Sequence, residues 1–271
     1  MINFDKFTVF ADSTEGIKAA GLFADEIKLR TGNMPEITDN RGEANFLFIQ
    51  SSEICRDGYA ICCDSNAVTV SAKGIRGFIY GFGMFLRKIV PLCGVPVLTE
   101  DISGSYRPDK SIRGHQIGYR TTPNTYDAWS YEDYRRYYLD MMFFGTNTVE
   151  HIPYEKGVSK RNRLMKYDEE EFLVKATEMA DEFDLDVSLW HPNNDGETVE
   201  QAAERRRKLY ATIPRLNVVF PPGGDPGEFP PEEFVLRCKE ISKALKKEHP
   251  YGQMWPSAQQ PHSFPDWGER F

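Results

Sequence analysis

The chain has 271 residues, 40% hydrophobic and 27% charged, a balance that places it among globular proteins and excludes disorder as its default state. Its formal net charge of −8 and pI near 5.3 argue against nucleic acid or an anionic membrane surface as partner, because both are bound chiefly through clustered Lys and Arg. The one basic cluster, Arg205, Arg206, Arg207 and Lys208, stands beside Glu200 and Glu204 and reads as a solvated helix face.

No run approaches the roughly 18 apolar residues of a membrane span. The N-terminus lacks a basic region followed by an apolar core, so the reading is cytoplasmic, or periplasmic or extracellular if a leader has been removed. The five cysteines, Cys55, Cys62, Cys63, Cys93 and Cys238, lack zinc-type spacing and read as buried reduced thiols.

Residues 7–10 form a short β run, and Ser13 or Thr14 caps a helix over 16–30, with Glu15 placing negative charge in its first turn. Ile17, Ala20, Leu22, Phe23, Ile27 and Leu29 give this helix an apolar stripe, and Thr31-Gly32-Asn33 stops it. Residues 45–50 read as an apolar strand, and 58–63 with 67–72 as a hairpin turned by Asp64-Ser65-Asn66. A second helix over 74–90 carries Gly74, Gly77, Gly81 and Gly83, whose spacing is not the dinucleotide fingerprint, so no cofactor is expected. Gly77 and Gly81 instead let the helix lie close on the sheet, with Phe78, Phe82, Phe85 and Leu86 buried. Residues 96–101 then return to the sheet as an edge strand.

The run 57–90, DGYAICCDSNAVTVSAKGIRGFIYGFGMFLRKIV, resembles the small α+β domain that precedes the catalytic barrel in family 20 hexosaminidases and family 67 α-glucuronidases. Gly58, Tyr59, Val68, Val70, Gly77, Tyr80 and Gly81 carry the likeness, and Arg113-Gly114 fits the pair that opens the first barrel strand there. The resemblance implies an α/β architecture: a small α+β domain over 1–108, contributing no catalytic residue, then a (β/α)8-type barrel from 109.

Alternation of strand and helix supports that barrel. Strands are expected at 112–119, 146–152, 184–190, 216–220 and 253–255, and helices at 131–144, 168–183, 198–213 and 230–247, with Ser130 and Asp133 as a capping pair for the first helix. A closed barrel takes about 250 residues. The stretch after 108 holds about five of the eight units, so a partial barrel is expected, either a fragment of a longer protein or an open half-barrel that needs a partner, with a homo-oligomer or the missing C-terminal half of the barrel completing it. An open doubly wound sheet is the alternative architecture.

Residues that follow strands share one rim in a barrel. His115, Tyr119, Arg120, Trp129, His151, Trp190, His191, Trp255 and Gln259 are therefore the expected substrate-binding residues, a mixture of rings and planar polar groups suited to sugars. Glycoside hydrolysis needs two carboxyl groups. Asp225, in PPGGDPG, is the first catalytic candidate and Glu150 the second. No adjacent Asp-Glu pair follows the fourth strand, where the hexosaminidases keep their acid. The expected function is a glycoside hydrolase acting on an oligosaccharide or polysaccharide. The alternatives are a non-catalytic glycan-binding remnant or subunit, and a metal-dependent sugar isomerase or lyase drawing on His115, His151, His191 and Asp225; no metal is assigned, since no H-E-x-x-H spacing supports one.

Overall fold

The computed structural model describes residues 2–92, 95–118, 125–152, 163–193, 196–224, 228–259, 261 and 263–270. The chain forms two compact units: Met1–Arg113 with Leu139–Asn147, and Gly114–Tyr138 with Thr148–Phe271.

The first unit begins with β1 (Ile2–Asn3), β2 (Thr8–Ala11), α1 (Thr14–Thr31), β3 (Glu36–Ile37) and β4 (Phe46–Gln50). It continues through β5 (Tyr59–Cys63), β6 (Val68–Ala72), α2 (Ile75–Lys88), β7 (Ile89–Leu92), β8 (Val95–Leu98) and β9 (Gly104–Tyr106). A six-stranded mixed sheet runs β3-β2-β4-β6-β5-β9, and β1-β8-β7 form a separate antiparallel sheet. The expected edge strand at 96–101 is therefore corrected: Val95–Leu98 pairs with the N-terminus and β7, and Gly104–Tyr106 takes the edge beside β5.

Ser13 is the cap of α1, its hydroxyl accepting from the Gly16 amide at 3.1 Å. Phe23 stacks on Phe46 at 4.0 Å, and Phe48, Phe82 and Phe85 pack around the pair with no exposed surface. Each such ring contributes about 2–3 kcal/mol by leaving water. Ile17 and Leu29, expected in the same stripe, are 62% and 72% exposed. In α2 the glycine reading holds. A Cβ on Gly77 would lie 2.4 Å from the Gly58 carbonyl oxygen, and one on Gly81 2.3 Å from Val70 Cγ1.

Asp57 ties this unit together. Its carboxylate binds Arg76 at 2.9 Å, Arg113 at 2.8 Å and the Asn147 amide at 2.8 Å. Burial pushes the Asp57 pKa up, but the Arg113 hydrogen bond, the Arg76 charge and the Asn147 amide outweigh it and hold the group below its usual 3.8. Arg113 also donates to the carbonyls of Gly145 and Lys110, and the Tyr80 hydroxyl donates to the Thr146 carbonyl at 2.8 Å. The thiols depart from expectation: Cys55 and Cys62 are exposed and Cys63 half-buried, whereas Cys238 is buried; Cys93 lies outside the described residues.

The second unit holds β10 (Gly114–Gly118), most of α3 (Tyr131–Met142), β11 (Thr148–Ile152), α4 (Glu169–Glu182) and β12 (Asp186–Trp190). After these come α5 (Val199–Thr212), β13 (Val218–Phe220), α6 (Pro231–Glu248), β14 (Gln253–Met254) and α7 (Trp267–Arg270). The five strands are parallel and ordered β10-β11-β12-β13-β14. A doubly wound sheet reverses its order at a switch point; the described strands follow chain order without one, and crossovers of the usual right hand then set the helices on one face, as in a barrel wall. The fold is α/β, a small α+β domain followed by a partial (β/α) barrel.

Ser130 and Asp133 cap α3 as expected, the Asp133 carboxylate accepting from the Ser130 amide at 2.8 Å and the Ser130 hydroxyl from the Asp133 amide at 3.2 Å. β12 starts two residues late because Asp184 sits at φ 58, a left-handed turn held by Arg215, which also binds Asp181 and Asp186. Arg206 corrects the solvated-face expectation. It is fully buried, donating to the carbonyls of Pro192 and Ala202.

Candidate functional site

Register places Gln116, Glu150, Ser188, Val218 and Gln253 in one row across the five strands. Successive strand residues point to opposite faces. The neighbouring row, Ile117, His151, Leu189 and Val219, is at most 2% exposed and lies under the helices. The first row therefore faces away from them, and there Gln116 and Gln253 are exposed and Glu150 half-buried. Glu150 is held from both sides: Gln116 donates to one oxygen at 2.6 Å and the Ser188 hydroxyl to the other at 2.7 Å. Both donors are neutral, and among the described residues no cation pairs with the carboxylate.

The next row toward the strand C-termini contains Gly118 opposite Ile152 and Trp190 opposite Phe220. A Cβ on Gly118 would fall 2.1 Å from Ile152 Cβ, so only glycine lets these two strands close. Trp190, Phe220 and Trp255 are half-buried, and the Trp255 indole donates to Gln253 at 2.9 Å.

A cleft opens where β10 and β11 end. Ile117, Gly118 and Ile152 line it from the strands, Tyr126, Asp127, Trp129 and Tyr134 from the following loop and α3, and Tyr167, Glu169 and Phe172 from the start of α4 and the residues before it. Its rings are interlocked: Trp129 meets Tyr134 at 5.2 Å and Tyr126 at 5.7 Å, and Tyr134 meets Phe172 at 5.0 Å. The Tyr134 hydroxyl donates to the Tyr126 carbonyl at 2.8 Å, fixing the loop onto α3. Asp127 is 7% exposed.

The histidines are distributed differently from the rim set expected of them. His151 is fully buried on the helix side, its Nε2 2.7 Å from the Tyr138 hydroxyl, and burial lowers its pKa to about 4. Alternation from Glu150 puts it there. His191 is also fully buried, its Nδ1 3.3 Å from the Tyr210 hydroxyl and its Nε2 3.4 Å from an Arg205 nitrogen. Burial, then the charges of Arg206 and Arg205, holds it well below its usual range. Both imidazoles brace helices rather than line the open face. His115 is exposed on β10, with Nδ1 3.3 Å from the Tyr137 hydroxyl.

Gln259 is exposed. Its carbonyl and that of Ser257 would lie 2.5 and 2.7 Å from a Cβ on Gly223, so the loop after β13 is clasped by the segment after β14. Asp225, Tyr119 and Arg120 lie outside the described residues. Among the described residues no group of three His, Cys, Asp or Glu side chains is placed to hold a metal, and no helix is long and apolar enough to cross a membrane. Gln116 and Ser188, the two donors to Glu150, belong to no motif; only lining up equivalent positions of successive strands would have found them.

No protein-family model and no curated protein matches the chain. Solved structures do share its fold. Streptomyces plicatus N-acetyl-β-hexosaminidase superposes with a TM-score of 0.74 at 13% identity, covering 96% of this chain and 64% of that one. The GH20 β-N-acetylhexosaminidase of Streptomyces coelicolor gives 0.72 at 14%, covering 93% and 62%. The GH20 exo β-N-acetylglucosaminidase of Vibrio harveyi, in complex with N-acetylglucosamine, gives 0.65 at 10%, covering 94% and 52%. The chain thus spans between about half and two-thirds of each of these proteins.

Proposed function

We propose that the chain acts in carbohydrate chemistry as a glycoside-hydrolase-type protein, taking a saccharide on the open face and C-terminal rim of its parallel sheet. The observation that carries this reading is Glu150, fixed between Gln116 and Ser188 on the face away from the helices. At the C-terminal ends of β10 and β11 a cleft holds a group of rings that includes Trp129. Sugars are recognised by that pairing, C–H faces on rings and hydroxyls on planar donors and acceptors. The fold shared with β-hexosaminidases supports it, and makes an N-acetylhexosaminide the first substrate to try.

For hydrolysis, one carboxyl must protonate the leaving oxygen and another act as base or nucleophile, about 5–9.5 Å apart. Asp225 and Glu150 are assigned as that pair, Asp225 as first candidate, with Trp129, Trp190 and Trp255 as ring contacts. The absence of an adjacent Asp-Glu pair after β13 favours a second reading, a glycan-binding protein without turnover.

Calorimetric titration against a chito-oligosaccharide panel, beside a product assay, separates the two. Hydrolysis lost in Asp225→Asn and in Glu150→Gln supports the enzyme. Binding without product supports the second reading. Binding unchanged in Glu150→Gln removes the open face as the site. A sugar isomerase or lyase would require a metal that copurifies at about one ion per chain and restores turnover after chelation.

A further inference from the structure

We propose that the first unit carries a ligand site of its own, for a small ring-shaped anion of the acidic or phosphorylated sugar type. A cleft of about 260 Å³ opens beside β5, β9, the end of α2 and the turn at 143–145. That is below the roughly 300–1,000 Å³ of drug-sized sites, which limits the occupant to about one ring.

The cleft walls are aromatic. Tyr59 and Tyr106 stack at 4.8 Å and 14°, both half-buried. Phe144 is 74% exposed, an unusual state for so large an apolar side chain, and the Arg87 guanidinium lies 4.8 Å from its ring centroid.

The charge is the second observation. Three guanidinium groups, Arg87, Arg107 and Arg113, and one carboxylate, Asp57, line the cleft, in a chain whose formal net charge is −8. Asp57 is already spent on Arg113 and Arg76, and Arg113 is spent on Asp57 and two carbonyls. Arg87 and Arg107 are exposed, and among the described residues neither meets a carboxylate; the Arg87 guanidinium donates to the weakly accepting Met84 sulfur at 3.6 Å. They are left as forked donors at the mouth of a ring-lined cleft. An oxyanion answers the forks through charge-assisted hydrogen bonds, and a sugar's C–H face answers the rings.

The test is isothermal titration of the full chain at low salt with galacturonate, glucose 6-phosphate, glucose and inorganic phosphate. The two charged sugars should bind at least about tenfold more tightly than glucose or phosphate, and more weakly as salt screens the charges. The double variant Arg87→Gln, Arg107→Gln should raise Kd about tenfold or more with an unchanged melting temperature, since both side chains are exposed. Arg87→Lys, Arg107→Lys should recover part of the affinity. Lys88→Gln, whose partner Glu100 is outside the cleft, should leave it unchanged. Charged sugars binding no better than glucose, or binding equally well to the double variant, would overturn the proposal. Phosphate binding as tightly as the charged sugars would overturn its ring component. Glu150→Gln should not affect this site, so its fate is separable from that of the open face.

Discussion

Asp57 and Glu150 are both carboxylates with both oxygens engaged, yet the two units use them in opposite ways. Asp57 is gripped by two guanidinium groups and an amide, and Arg76 beside it is 2% exposed along its side chain. Glu150 is held by two neutral donors on a face the helices do not cover. A carboxylate enclosed by cations has its charge consumed by structure. One positioned by neutral groups beside solvent keeps its charge available to a ligand.

Replacing each carboxylate should separate them most sharply. Asp57→Ala removes the carboxylate paired with buried Arg76 and should destabilise the protein by about 3–5 kcal/mol in a denaturant titration followed by circular dichroism. Glu150→Gln should cost less than about 1 kcal/mol, with its effect appearing in saccharide binding instead. Equal losses would erase the distinction.

Acid should also act on the units at different pH. The folded pKa of His151 is about 4 against 6.5 when unfolded, so the unfolded chain binds the proton first as pH falls below 6.5. Stability of the second unit should therefore decline between pH 6.5 and 4, by about 3 kcal/mol from His151, with His191 acting in the same direction. Asp57, lowered from 3.8, keeps its contribution above that pH and loses it as pH falls further. All four tryptophans lie at or beyond residue 129, so their fluorescence reads the second unit alone. In His151→Gln its melting temperature should depend less on pH; an unaltered slope would remove His151 as the cause.

Smaller losses of stability than at Asp57 come from glycines. Gly81→Ala forces a methyl against Val70 in an enclosed layer and should cost about 1–3 kcal/mol. Gly118→Ala meets Ile152 more closely still, 2.1 Å from its Cβ and 2.8 Å from its backbone Cα, so its cost should match or exceed that of Gly81→Ala.

Much of this architecture was legible beforehand. The alternation after residue 112, the close contacts at Gly77 and Gly81 and the Ser130 cap follow from local patterns that tertiary structure did not override. The β1-β8-β7 sheet was not, because a two-residue strand at Ile2–Asn3 pairs with residues almost a hundred positions away. The faces of 148–152 were ambiguous for a physical reason: a slip of one residue exchanges Glu150 and His151, and tertiary contacts such as His151 with Tyr138 resolve it. The arginine cleft was hidden because its three guanidinium groups come from separate places in the chain. Composition read the visible cluster at 205–208 as solvent-facing, whereas Arg206 is interior.

The Asp57 junction also bears on how the chain is made. Its partner Asn147 lies 90 residues downstream, so a ribosome delivers the carboxylate long before the amide that completes its shell. Domains generally fold in the order they emerge. The first unit here, although its sheet is encoded early, cannot finish until part of the barrel sequence has been synthesised. A nascent chain whose residue 113 has just cleared the exit tunnel would hold Asp57 with its two arginines and without Asn147, leaving the small domain in waiting while the polypeptide that closes it is still in the tunnel.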